Sequence, residues 1–246
     1  MKLIKLFYLV MLLAPIALAS FAHAKTDVSI EGGLTWQGRN DQRIPGSGGT
    51  TFALDEIDHG PFATYRIYTG HRWNERHEVR ALYAPLDLNL TGQFKNSVDY
   101  MGATFAANTD TQIRYKFNSY RLTYAYHLEK TSEWELAVGF TAKVRDAEVS
   151  LTQGNLNRTK KNVGFVPLLN FQAVRNLSST WLFRFDFDGL AAPQGRAFDV
   201  AFLVERQLPY WGSSVFGGYR MVEGGADNKE VYNFAWFHTA VLGIRF

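Results

Sequence analysis

The chain has 246 residues, 46% hydrophobic, 15% aromatic and 20% charged, with 21 Gly, 7 Pro and no Cys. This excludes a disordered charged tail, a disulfide scaffold and a thiolate metal site. The formal charge of +3 falls to 24 basic against 23 acidic residues once Lys2 and Lys5 are set aside, so bulk charge gives no reason to expect a nucleic-acid partner.

Residues 1–24 read as a secretory signal peptide. Lys2 and Lys5 precede an apolar run from Leu6 to Ala19, and Ala22-His23-Ala24 offers a small-x-small cleavage site. As a helix that run would cover only about 21 Å, short of a ~30 Å hydrocarbon core, and Pro15 interrupts it. A single domain then spans 25–246.

Beyond Lys25 the hydrophobic period is two almost throughout. Val28, Ile30, Leu34 and Trp36 oppose Ser29, Glu31, Thr35 and Gln37; Trp181, Phe183, Phe185 and Phe187 oppose Arg184, Asp186 and Asp188. The pattern predicts ten strands near 27–38, 62–73, 77–90, 113–128, 134–151, 163–175, 180–188, 197–207, 213–223 and 231–246. Four connections are short (74–76, 129–133, 176–179, 208–212) and five are longer or Gly-rich (39–61, 91–112, 152–162, 189–196, 224–230). Short turns on one side and long loops on the other fit an all-β, antiparallel up-and-down transmembrane barrel of about ten strands, with eight to twelve allowed. Trp73, Trp134, Trp181 and Trp211 each adjoin a short turn, while Trp36 and Trp236 lie toward the far ends of the first and last strands. With Phe246 they read as two interfacial girdles. A soluble lipocalin-like barrel is the competing fold, but it would place the charged face outside and would not produce the girdles.

The signal, the alternation, the girdles and a last strand ending Leu242, Ile244, Phe246 resemble Gram-negative outer-membrane β-barrel proteins. That resemblance implies an outer-membrane location, a lipid bilayer and lipopolysaccharide as surroundings, and recognition of the last strand by the barrel assembly machinery. It does not identify an activity. Ten strands is the omptin-like count, although omptins are longer.

Phase slips suggest bulges near Asn118, Pro85 and Asp146, and Pro167 calls for a bulge or a later strand start. The predicted inward face carries seven acids (Glu31, Glu78, Glu135, Asp186, Asp188, Asp199, Glu205) and seven bases (Arg66, Arg80, Arg121, Lys143, Arg145, Arg184, Arg220). Such groups are tolerable out of bulk water only when paired. Asp188 and Asp199 should face each other across a hairpin, with Arg145 and Arg196 as the guanidinium groups available to them and Glu223 at the same height. The candidate ligand or lumen network is therefore Arg66, Lys143, Arg145, Asp186, Asp188, Arg196, Asp199 and Glu223.

Weak catalytic candidates are His238, Asp58 and His59. The Asp58-His59 pair is similar to one half of an omptin catalytic set, and His238 should face lipid beneath Trp236. No Gly-x-Ser-x-Gly or His-Glu-x-x-His motif is present. The sequence thus predicts a monomer without cofactor or metal. It would have a structural or binding role at the cell surface, or pass small solutes in a limited, porin-like way through a charged, mostly occluded lumen. The alternative is a barrel hydrolase acting on lipid or peptide, omptin-like or lipid A-modifying.

Overall fold

The computed structural model describes residues 25–209 and 212–246; the predicted signal peptide and Trp211 lie outside the described residues. Its strands are β1 (Lys25–Arg43), β2 (Phe52–Ala53), β3 (Phe62–Trp73), β4 (His77–Ala84), β5 (Asp87–Gln93), β6 (Val98–Tyr100), β7 (Ala103–Phe105), β8 (Asp110–His127), β9 (Trp134–Gln153), β10 (Leu156–Asn176), β11 (Trp181–Ala192), β12 (Gly195–Gln207), β13 (Ser214–Asp227) and β14 (Tyr232–Arg245). β5 continues β4 as one stave, and with β1, β3 and β8–β14 it makes a ten-stave barrel. Every neighbouring pair is antiparallel, and β14 closes the wall against β1 from Ser29↔Arg245 to Arg43↔Tyr232.

In the lower part of the barrel, alternation acts as the period-two pattern requires. Val28, Ile30, Leu34, Phe140, Phe165, Leu169, Phe202 and Leu242 point outward and are exposed, while Glu31, Arg121, Thr141, Lys143, Asp199 and Arg220 point inward and are buried. Trp73, Trp134 and Trp181 begin or end strands at the short turns, and Phe246 is at the same rim. Trp36 and Trp236 lie near each other at the opposite level, where Trp36 pairs with His238 and Arg39 with Trp236.

Above that level the polarity reverses. β8 keeps one register with β9 from Gln112↔Thr152 to His127↔Ala137, so no bulge occurs at Asn118 or Asp146. β4 and β5 likewise pair with β8 in a single register on either side of Pro85. The apparent slips in sequence are a change of solvent. Ile113, Tyr115, Leu88, Leu90, Val149 and Leu151 still point inward, but here they are the buried apolar residues. Outward, Lys116 meets Asp146 at 2.9 Å and Arg114 meets Asp87 at 2.6 Å, as expected for a wall that has left lipid and entered water.

Pro167 requires neither a bulge nor a late start: β10 runs through it in unbroken register with β9, opposite Ala142. Asn176 donates its N–H to Glu133 on the β9 side. Because N–H direction alternates along a strand, the odd-numbered residues of β10 address β11, and the donor that Pro167 lacks falls on that side. The β10–β11 ladder ends at Leu169↔Gly189, one step before Pro167 would need a partner.

The four short turns are at 74–76, 128–133, 177–180 and 208–213, close to expectation. Three predicted loops shrink. The 152–162 and 189–196 stretches are mostly strand, closing in two-residue turns at Gly154–Asn155 and Pro193–Gln194, and 224–230 contracts to residues 228–231. Gly154 has φ 57°, the left-handed value such a tight turn exploits. The 44–61 and 94–109 connections are long, and both fold over the mouth. Leu54, Tyr100 and Phe105 are fully buried there, and the Tyr100 hydroxyl donates to the Val149 carbonyl at 2.8 Å.

Candidate functional site

The inward side chains stack in three layers. At the short-turn rim a polar vestibule of about 390 Å³ is lined by Arg72, Glu78, Glu135, Arg184, Glu205 and Arg245, among others. Within it Arg72 pairs with Glu135 at 2.7 Å, and His127 bridges Glu78 at 2.7 Å and Glu135 at 3.2 Å. Arg245 reaches both Asp27 at 3.3 Å and Glu205 at 3.6 Å. The predicted network omitted Arg72 and Arg245. Arg245 has inward parity on the last strand, so alternation alone could have found it.

The middle layer is a belt of ion pairs centred on Asp199. This carboxylate takes Arg66 and Arg121 at 2.7 Å each and Arg220 at 2.6 Å. Arg220 also holds Glu31 through two hydrogen bonds of 2.8 Å. Asp188 accepts from Arg121 at 2.9 Å, from the Thr141 hydroxyl at 2.7 Å and from Asn170 at 2.8 Å. Arg80 approaches Asp186 at 3.7 Å. These contacts join residues up to 189 positions apart, and the cross-strand ladder places Asp188 directly opposite Asp199.

Two expected partners are corrected. Neither Arg145 nor Arg196 serves the Asp188–Asp199 pair; Arg66, Arg121 and Arg220 do. Arg196 sits on the outer wall, where it pairs with Glu223 and lies over the Phe234 ring at 4.9 Å. Glu223 therefore belongs to the exterior, because Arg220 and Val222 fix the opposite parity as inward. Arg145 bonds Asn162, and Lys143 rests on the Phe117 ring at 4.9 Å.

Over the belt, a small cavity of about 60 Å³ has Arg66, Arg121 and Arg220 in its floor and Leu86, Phe117, Val222 and Phe237 higher up. The third layer, the buried cluster around Leu54, Tyr100, Phe105, Ile113, Tyr115 and Leu151, lies toward the long-loop end.

The side chains of Asp58 and His238 are otherwise engaged. Asp58 caps a turn by accepting the Gly60 N–H at 2.9 Å, and the His59 carbonyl accepts from the Gln37 N–H at 3.0 Å. His238 faces outward against Trp236, with ring centroids 4.6 Å apart, and bonds the Tyr219 hydroxyl. Gly38 makes room for it, since a Cβ there would lie 2.6 Å from the imidazole Nε2. Among the described residues no group of three or more His, Asp and Glu could hold a metal ion.

No protein-family model matches the sequence, and no curated protein is similar to it in sequence. Among solved structures, the chain is similar to the outer membrane protease OmpT from Escherichia coli at 12% identity and TM-score 0.53, over 92% of this chain and 98% of that one. It also matches Ail, the attachment invasion locus protein of Yersinia pestis, at 8% identity and TM-score 0.42, over 90% and 99%. Neisserial surface protein A matches at 13% identity and TM-score 0.33, over 91% and 97%. The fold defines the class: a closed ten-stranded antiparallel β-barrel of the outer-membrane type. At these identities the likeness is one of fold and assigns no activity.

Proposed function

We propose that the protein resides in the outer membrane, delivered there by its cleaved signal, as a monomeric barrel closed to solute flow that acts structurally or by binding at its outer rim. The observation that carries this reading is the double seal. A cross-section filled by Asp199 and its three guanidinium partners lies in series with an apolar cap around Tyr100, Phe105 and Leu151. An aqueous path would need both to open, and their disruption is opposed by different forces, charge pairing and apolar burial. The cap also holds the 44–61 and 94–109 segments against the barrel, giving the outer rim a fixed shape suited to recognition.

The test is planar-bilayer recording on the refolded full chain. A closed baseline is expected, and discrete conductance steps from the unmodified protein would overturn the reading. The two layers argue against the limited, porin-like solute passage that the first-choice reading of the sequence allowed. The hydrolase alternative lacks a nucleophile-and-base pair among the contacts of His238, His59 and Asp58 described above.

A further inference from the structure

The barrel wall is incomplete on one side. β10 and β11 pair only from Leu169↔Gly189 downward, and β11 turns back into β12 after Ala192 while β10 continues to Leu156. Above Leu169 the β11-facing edge of β10 therefore has no ladder partner. Leu190, just beyond the end of this ladder, is 37% exposed.

The notch lies at the outer edge of the lipid band. From the Trp134↔Arg175 pair upward, the outward residues of β9 and β10 are apolar as far as Val144 and Val163, and Asp146 and Lys161 follow. About ten tilted residues cross a bilayer, so the notch is level with the headgroups of the outer leaflet.

Charge accounting singles out the residue beside it. All seven inward acids are ion-paired: Glu31, Asp188 and Asp199 with Arg66, Arg121 or Arg220, and the rest with Arg72, Arg80, Arg184, Arg245 or His127. Arg145 and Lys143 form no ion pair among the described residues. Lys143 is 3% exposed, and Arg145 Nε is buried without a hydrogen-bond partner. The Arg145 side chain leaves β9 and crosses the inner face of β10 to reach Asn162 Oδ1. Gly164 keeps that path clear: a Cβ there would stand 3.2 Å from the Arg145 guanidinium. The guanidinium thus lies over β10 at Gly164, with Lys143 two residues below it on β9.

We propose that this notch binds the phosphate headgroup of an outer-leaflet amphiphile, with Arg145 as its principal contact. A planar guanidinium suits a phosphate, and the site supplies the positive charge that the belt leaves uncompensated. The acyl portion lies along Val163, Phe165 and Leu169, which are 49%, 65% and 50% exposed. A lipid enters sideways here, so the inference does not depend on the closed lumen; a conducting barrel would overturn that reading and leave this comparison intact.

The experiment is native mass spectrometry of the full chain released from dodecyl maltoside micelles after incubation with phosphatidic acid, phosphatidylcholine or inorganic phosphate. We expect a one-lipid adduct with phosphatidic acid, reduced about tenfold in Arg145→Gln and retained in Arg145→Lys. Gly164→Val, which blocks the path without changing charge, should lose the adduct too, and it carries the test if Arg145→Gln does not fold. Equal adducts in the unmodified chain and in a folded Arg145→Gln or Gly164→Val would overturn the proposal. So would phosphatidylcholine adducts that match those of phosphatidic acid. Retention of inorganic phosphate as strong as that of the lipid would also overturn it, making the site one for a free anion.

Discussion

Arg220 on β13 grips Glu31 on β1 with both ends of its fork, Nε to Oε1 and Nη2 to Oε2, each at 2.8 Å. The two strands flank β14, so this pair spans the closure of the barrel from inside. Both side chains are nearly inaccessible, and Arg220 also neutralises Asp199. Arg220→Met should therefore destabilise the folded barrel by about 3–5 kcal/mol, because it leaves buried Glu31 with Arg66 at 3.8 Å as its remaining cation and takes one of three guanidinium partners from Asp199. The double variant Glu31→Gln with Arg220→Met should recover part of that loss. Urea unfolding in lipid vesicles, followed by tryptophan fluorescence, measures both; a loss below 1 kcal/mol in the single variant would contradict the belt's role.

The reversal of polarity between the barrel's two halves predicts opposite outcomes for similar truncations. Leu151→Ala removes a fully buried side chain from the cap and should cost about 2–4 kcal/mol. Phe140→Ala, on the lipid face at 67% exposure, should cost less than half as much. The same unfolding assay compares them, and equal costs would contradict the apolar cap.

Position 167 separates a proline that is tolerated from one that is not. Pro167→Ala should change stability by no more than about 0.5 kcal/mol, because the restored N–H finds no β11 partner. Leu169→Pro removes a donor that the β11 ladder uses and should cost about 1–3 kcal/mol. A large effect of Pro167→Ala would mean that β10 and β11 pair above Leu169.

Outside the membrane, Arg114 holds Asp87 through two hydrogen bonds of 2.9 and 2.6 Å and lowers its carboxyl pKa from the usual value. A depressed folded pKa contributes stability above the unfolded value, near 4, that is lost as pH falls through the folded value. Both groups are more than a third exposed, so screening keeps the effect small. Limited proteolysis of the outer rim should quicken modestly below pH 4 in the unmodified chain, and Asp87→Asn should flatten that dependence.

The ten staves and four short turns were legible because lipid on one side and a charged lumen on the other impose a clean period of two. The outer half was misread for the same reason. Tyr115 and Phe117 are out of phase with Tyr120 and Tyr124 only if the apolar face is assumed to look out everywhere, whereas the backbone keeps its phase and the surroundings change. Loop lengths were overestimated at 152–162 because polar residues such as Asn157, Thr159 and Lys161 resemble a loop when they are in fact the wet side of a strand. The acids of the belt were found by parity, but their partners were not. Arg66 and Arg121 reach Asp199 across the lumen, over sequence separations of 133 and 78 residues, and Arg220 reaches it from the adjacent strand β13; a reading by height above the tryptophan girdle chose Arg145 and Arg196 instead.

The β9–β10 hairpin outreaches its neighbour β11–β12: its two strands have 20 and 21 residues against 12 and 13. Its Gly154–Asn155 tip consequently rises past the β11–β12 turn to the 94–109 segment, to which Gln153 is bonded at Ala106. In the proposed orientation a peptide epitope spliced into that tip would face outward while the charge belt below went undisturbed.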